Sequence, residues 1–242
     1  MPIRILGIDV GGANIKTSLI TIEQRKVLSV NLDTVYFPIW QLGKDSLTNV
    51  ISRIKNNILQ GDDPEYVALA MTAELSDVYF TKEEGVLHII DIITTTFETS
   101  EIFIMSTDAK FVTPEEGIMR PLLVAAANWP ATARLIGKKV PYSIMIDVGS
   151  TTTDIIPIRD GIPASKGKTD TERLLYGELV YTGVLRTPIT AITHMVPLKG
   201  SFCRISAEKF ALSADVHLVL NNISEDEYTC ETADGRGKSR RE

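Results

Sequence analysis

The 242-residue sequence predicts an α/β protein built in two lobes. Three observations predict it. Apolar runs of strand length alternate with stretches whose apolar residues recur at helical spacing. The tetrapeptide Ile-Asp-Val-Gly occurs at 8–11 and again at 146–149, so that Asp9 and Asp147 stand 138 positions apart. Each copy closes an apolar run and opens a loop of small and polar residues, "GGAN" in the first and "GSTTT" in the second.

The elements follow in order. The runs at 3–10, 15–22 and 27–37, parted by "GGAN" and "EQRK", read as a three-stranded meander with its first two strands joined tightly. The period then changes: in "KDSLTNVISRIKNNILQ", Leu47, Val50, Ile51, Ile54 and Ile58 share one helical face, and "GDDP" stops the helix. "YVALAM" at 66–71 and "EIFIMS" at 101–106 read as short buried strands, with a helical stretch around Glu83 to Ile93 between them. Thr113 can cap a helix that Pro114 opens and whose dipole Glu115 and Glu116 complement. That helix is expected to continue towards Gly137 and to link the lobes, with Asn128 and Trp129 interrupting its alanine-rich stretch just before Pro130. The meander restarts at Tyr142. The expected organisation is a first lobe at 1–113, a connecting helix at 114–137 and a second lobe at 138–242.

Composition limits the function. A chain of this length buries roughly 70% of its unfolded surface, enough for a substantial core. A hydrophobic content of 44%, a charged content of 23% and a net charge of −6 describe an ordinary globular protein and argue against a general nucleic-acid binder. Asp9 interrupts the short N-terminal apolar run, which therefore does not read as a signal peptide, and no apolar stretch has membrane-spanning length. The cytosol is the expected location. Cys203 and Cys230 lack metal-ligand spacing and read as incidental or buried thiols, and His88, His194 and His217 show no ligand pattern.

The chemistry around the repeat points to phosphate. Glycine lets backbone N–H groups approach an anion, and serine and threonine hydroxyls add donors. A carboxylate at the strand end beside a bound phosphate can hold Mg2+ directly or through water.

Together "GIDVGGANIKTS", "AAANWPATA", "MIDVGSTTTDIIPI" and "ERLLYGELVYTGVLRTPI" resemble the hydantoinase/oxoprolinase-related proteins of archaea and methylotrophs linked to tetrahydromethanopterin and methanofuran metabolism. The paired loops are similar to the phosphate-1 and phosphate-2 motifs of the wider actin, Hsp70 and sugar-kinase superfamily. This resemblance implies two ribonuclease-H-like (actin-like ATPase) lobes with a phosphate-binding cleft between them. It also implies a transferase of methanofuran biosynthesis, joining an aminomethylfuran-methyl diphosphate to the phenol of γ-glutamyltyramine with loss of pyrophosphate. An ATP-dependent kinase or amidohydrolase, and a non-catalytic nucleotide switch, are the alternatives that the wider family allows. Small-molecule substrates are the expected partners and Mg2+ the expected cofactor.

Site expectations follow residue by residue. Asp9 and Asp147 are the candidate metal ligands, and Gly11, Gly12, Ala13 and Asn14 with Gly149, Ser150, Thr151 and Thr152 form the diphosphate cradles. Lys16 is placed to meet a phosphate oxygen. Asp154 occupies the equivalent position in the repeat, where it can hold metal, pair with a cation or act as base. Arg173, Tyr176, Glu178, Tyr181 and Arg186, grouped around Gly177 and Gly183, together with Trp129, are the candidate substrate contacts. Glu208 and Asp215 flank a helix without an assignable role. No Gly-Gly pair follows Gly12, so the usual adenosine motif of the superfamily is missing, and Ser239 to Glu242 reads as a helix-opening capping box that suggests a longer chain.

Overall fold

The computed structural model describes residues 2–59 and 63–240. Within them the chain forms two compact units. One runs to Tyr142 and regains Arg159–Pro163; the other comprises Ser143–Ile158 and the chain from Ala164 onward.

The first unit is a mixed sheet with helices. Strands β1 (Ile3–Val10), β2 (Asn14–Glu23) and β3 (Lys26–Tyr36) form the expected meander. A short helix α1 (Ile39–Leu42) and then α2 (Leu47–Leu59) lead to β4 (Tyr66–Met71); α3 (Lys82–Thr96) leads to β5 (Glu101–Met105) and to the two-residue β6 (Phe111–Val112). The strand order is β3-β2-β1-β4-β5-β6, with β1, β4 and β5 parallel. Alternation along β1 explains the layering. Leu6, Ile8 and Val10 are buried in a core with Ile51 and Ile54 of α2 and Val86, Ile89 and Ile93 of α3, which directs Gly7 and Asp9 to the other face. On α2, Val50 and Ile58 pack at the margin of this core, completing the anticipated apolar face. The "GDDP" stop falls on residues 61–64, of which 61 and 62 lie outside the described residues.

The connecting helix expected over 114–137 is instead three short helices, α4 (Pro114–Met119), α5 (Pro121–Val124) and α6 (Trp129–Gly137). Thr113 does cap the first, accepting from the Glu116 N–H at 3.3 Å while Glu116 accepts from the Thr113 N–H at 3.1 Å. Proline supplies the reason for the breaks: Pro121 and Pro130 lack the N–H that a continuous helix requires, and Ala126 adopts a left-handed φ of 52° between them. These helices belong to the first unit, in which Val124 is fully buried and Gly117 leaves room for Ile90 and Ile104. The change of unit therefore falls after Tyr142 rather than at 113 or 138. The returning segment carries the two-residue β9 (Ile162–Pro163), and Gly137 lies so close to Gly161 that a Cβ would stand 2.4 Å from its carbonyl oxygen.

The second unit repeats the opening hairpin as β7 (Ser143–Val148) and β8 (Thr153–Arg159). Helix α7 (Asp170–Leu175) leads to β10 (Leu179–Val180), which pairs with β8. The ribbon β11 (Met195–Leu198) and β12 (Ser201–Arg204) precedes α8 (Ser213–Val219). Among the described residues β7 pairs with β8 alone, whereas β1 lies between β2 and β4, and Ile144, Ile146 and Val148 are largely exposed. Asp215 caps α8, accepting from the Leu212 N–H at 2.7 Å and from the Tyr228 hydroxyl at 2.7 Å; Glu208 lies outside any helix. The capping box expected at Ser239 runs into residues 241 and 242, which lie outside the described residues.

Candidate functional site

The two Ile-Asp-Val-Gly stretches build the same local object. In the first, the Gly11 N–H donates to the Asn14 carbonyl at 3.0 Å, which closes a four-residue turn with Gly12 and Ala13 at its tip. In the second, the Gly149 N–H donates to the Thr152 carbonyl at 2.8 Å, with Ser150 and Thr151 at the tip. The ladders behind them match: Asp9 pairs with Lys16 and Val10 with Ile15, as Asp147 pairs with Asp154 and Val148 with Thr153. Among the described residues the N–H groups of Gly12 and Ala13, and those of Ser150 and Thr151, donate to no protein acceptor. Such tips suit an anion.

Each turn is held from behind. At the first, the carbonyls of Gly12 and Ala13 accept from Ile39 and Phe37, and a Cβ on Gly11 would lie 2.7 Å from the Asn14 oxygen, so only glycine fits. At the second, the Gly149 carbonyl accepts from Val184, and that of Ser150 accepts from Leu185 and Arg186. Gly183 lies directly beneath, where a Cβ would be 2.6 Å from both the Gly149 oxygen and the Thr151 nitrogen. Its own peptide is fixed by Thr187, whose Oγ1 accepts from the Gly183 N–H at 2.7 Å, and by Ser213, whose hydroxyl donates to the Gly183 carbonyl at 2.9 Å. The phrase "YTGVLRTP" is thus the brace of the second turn.

In the first unit Asp9, Lys16 and Asp33 share the wall of a cavity of about 450 Å3 with Ala68, Phe111 and Ala131. Lys16 is exposed and directly opposite Asp9. In the second unit Asp154 instead forms a 2.5 Å ion pair with Arg173, whose residue is 2% exposed and which also donates to the Glu178 carbonyl at 3.1 Å. Burial pushes the Asp154 carboxyl above its ordinary value; the Arg173 hydrogen bond and charge oppose this, and the charges of Asp147 and Asp170 add to it.

The remaining candidates separate. Arg173 is a buried partner of Asp154, not an exposed substrate contact. Glu178 is buried, and its two carboxylate oxygens accept from the Lys166 and Gly167 N–H groups at 2.7 and 2.9 Å, so it secures a loop. Trp129 is 3% exposed at the start of α6, and this places it in the core. Tyr176 and Tyr181 are exposed; the Lys166 ammonium lies 5.6 Å from the Tyr176 ring centre. Arg186 is half-buried and contributes its N–H to the brace. Sequence reasoning passed over Glu74, a carboxylate 1% exposed just beyond β4, for which the only signal was one acid in the otherwise apolar "YVALAMTAEL".

Asp9 and Asp147 fit Mg2+ chemically: carboxylate oxygens are hard ligands, and Mg2+ commonly takes one or two of them and completes its shell with water and phosphate. No group of three or more His, Cys, Asp or Glu side chains suited to a metal exists among the described residues. No described helix is long and apolar enough to cross a membrane.

The chain resembles known proteins along most of its length. It is 42% identical over 239 residues, 98% of this chain and 68% of the relative, to the (4-{4-[2-(gamma-L-glutamylamino)ethyl]phenoxymethyl}furan-2-yl)methanamine synthase of Methanocaldococcus jannaschii. It is 48% identical over 98 residues, 40% of this chain and 44% of the relative, to the synthase of the same name from Methanococcus vannielii. Among solved structures, nucleotide-free acetone carboxylase aligns with 93% of this chain and 56% of its own at 10% identity and a TM-score of 0.49. The PPX-GPPA enzyme of Aquifex aeolicus aligns with 68% of this chain and 51% of its own at 14% identity and a TM-score of 0.40. The chain spans about two thirds of the first synthase and about half of these structures. The hydantoinase/oxoprolinase profile matches residues 65–242, and with the relationship to the synthases this establishes that the chain belongs to the hydantoinase/oxoprolinase family.

Proposed function

We propose that this protein is a transferase that joins an aminomethylfuran-methyl diphosphate to the phenol of γ-glutamyltyramine, releasing pyrophosphate, in the cytoplasmic assembly of methanofuran. The observation that carries the reading is 42% identity across nearly the whole chain to a synthase whose named product joins a phenoxy group to a furan through one methylene. The two matched turns support it, because a diphosphate is the ligand for which paired N–H tips are suited.

The proposed chemistry needs little covalent help from the protein. A furfuryl carbon bearing diphosphate ionises readily because the ring oxygen stabilises the cation, so the enzyme must chiefly stabilise the departing anion and aim the phenol. The tips at Gly12–Ala13 and Ser150–Thr151 would hold phosphate oxygens, and the Lys16 ammonium would offset their charge. Asp9 and Asp147 would hold Mg2+, which neutralises the leaving group when bound. Asp154, tied to Arg173, would steady the second turn, and the phenolic proton would pass to the departing pyrophosphate, which is itself a base. The two lobes are read as ribonuclease-H-like, each with one such turn.

The test is to incubate the full-length protein with Mg2+, the furan diphosphate and γ-glutamyltyramine, with and without ATP, and to measure pyrophosphate and coupled product by mass. Equal product in both arms is expected. Strict ATP dependence with formation of ADP would make the protein a kinase or ATP-driven hydrolase, and ATP binding without turnover would make it a nucleotide switch.

A further inference from the structure

We propose that Glu74 is a positioning residue, whose buried carboxylate holds Ala126 in its left-handed conformation and thereby sets where α6 begins beside Asp9. The Glu74 Oε1 accepts the Ala126 N–H at 2.6 Å across 52 residues of sequence. Ala126 has φ 52°, a region that costs a residue with a Cβ and that therefore needs an external hold. A carboxylate aimed at one backbone N–H supplies it, since a hydrogen bond to an ionised acceptor is about twice as strong as a neutral one.

Glu74 is connected on both sides. Just before it, the Thr72 N–H donates to the Val10 carbonyl at 2.9 Å, and the Thr72 hydroxyl lies 3.7 Å from where a Cβ on Gly11 would be, so the Glu74 segment abuts the first phosphate turn. Beyond Ala126, Ala127, Trp129 and Pro130 are buried, and Ala131, in the first turn of α6, lines the same cavity as Asp9 and Lys16. The fold makes room for this device. Gly85 in α3 faces Glu74 so closely that a Cβ would lie 2.6 Å from the Glu74 Cβ. A buried carboxylate is costly to keep, and the stretch that begins at Ala126 ends at Ala131, which lines the Asp9 cavity.

The kinetic part of this inference rests on the transferase reading; the structural part does not. In a W40F background Trp129 is the sole tryptophan, and E74Q, E74A and E74Q/A126G are compared with the parent. In E74Q the amide still fits, and exchange of the Ala126 N–H with solvent should accelerate at least tenfold while circular dichroism stays unchanged. The kcat for pyrophosphate release should fall about tenfold, with the KM for the diphosphate within twofold. Adding A126G, which adopts positive φ without strain, should restore kcat at least threefold. E74A should make Trp129 emission shift red. Unchanged Ala126 exchange in E74Q would overturn the proposal, as would accelerated exchange with unaltered kcat. If the parent shows no turnover at all, the transferase reading fails, and the exchange and emission measurements still decide whether Glu74 holds Ala126.

Discussion

Lys16 stands directly opposite Asp9 across the β1–β2 ladder, so the first turn carries a cation and a carboxylate side by side on one cavity wall. At the matching place in the second unit Asp147 faces Asp154, and the cation comes from α7 as Arg173. The repeat thus preserves a charge pattern while changing which residue supplies it.

If Asp9 and Asp147 each hold Mg2+ on the diphosphate, D9N and D147N should each lower kcat by ~100-fold or more, the scale of losing one key electrostatic contact, with circular dichroism intact. K16M should raise the KM for the diphosphate by ~10-fold or more, the scale of one hydrogen bond to a charged group. Full activity in both aspartate variants would remove the shared-metal reading.

The turns make different demands on their glycines. G11A and G183A place a Cβ at 2.7 and 2.6 Å from backbone oxygens and should cost about 1–3 kcal/mol each, read as lowered urea midpoints. Nothing lies within 4 Å of a Cβ at Gly12, where φ is not positive, so G12A should keep the parent midpoint. Equal losses at all three positions would contradict the described turns.

Removing Arg173 leaves the half-buried Asp154 carboxylate without its counter-charge, so R173M should destabilise the protein by about 1–3 kcal/mol. The pH dependence has a definite sign. The Asp154 carboxyl is raised above 3.8 in the folded state, so its contribution to stability is fully present below that value and is lost as pH rises through the folded pKa. Urea midpoints of parent and D154N from pH 3.5 upward should therefore diverge, with the parent losing ground as pH rises through that window.

His88 has the opposite sign. Its Nδ1 lies 2.9 Å from the Tyr79 hydroxyl, and burial, followed by the Lys44 charge, depresses its pKa below 6.5. Its contribution is present above 6.5 and is lost as pH falls through the lower folded value. H88Q should flatten the loss of thermal stability on acidification between pH 7 and 5; an unchanged slope would exclude His88 as its source.

By itself the sequence determined the elements whose cause is local. Apolar runs of strand length placed β1 and β4, the apolar stripe from Leu47 to Ile58 placed α2, and Thr113 with Glu116 opened α4. The repeated Ile-Asp-Val-Gly marked two hairpins of the same register, because a strand end followed by Gly and small residues leaves the backbone few alternatives. Tertiary structure alone decided what the polar residues around them do. Arg173 and Glu178 look like exposed ligand contacts in a linear reading, yet Asp154 and the Lys166–Gly167 backbone, distant in sequence, draw them inside. The helix over 114–137 broke for a local reason, the prolines at 121 and 130, whereas Glu74 found Ala126 52 residues away for a tertiary one: a buried hydrogen-bonding group must be satisfied by whatever the fold brings beside it, and sequence spacing records only neighbours along the chain.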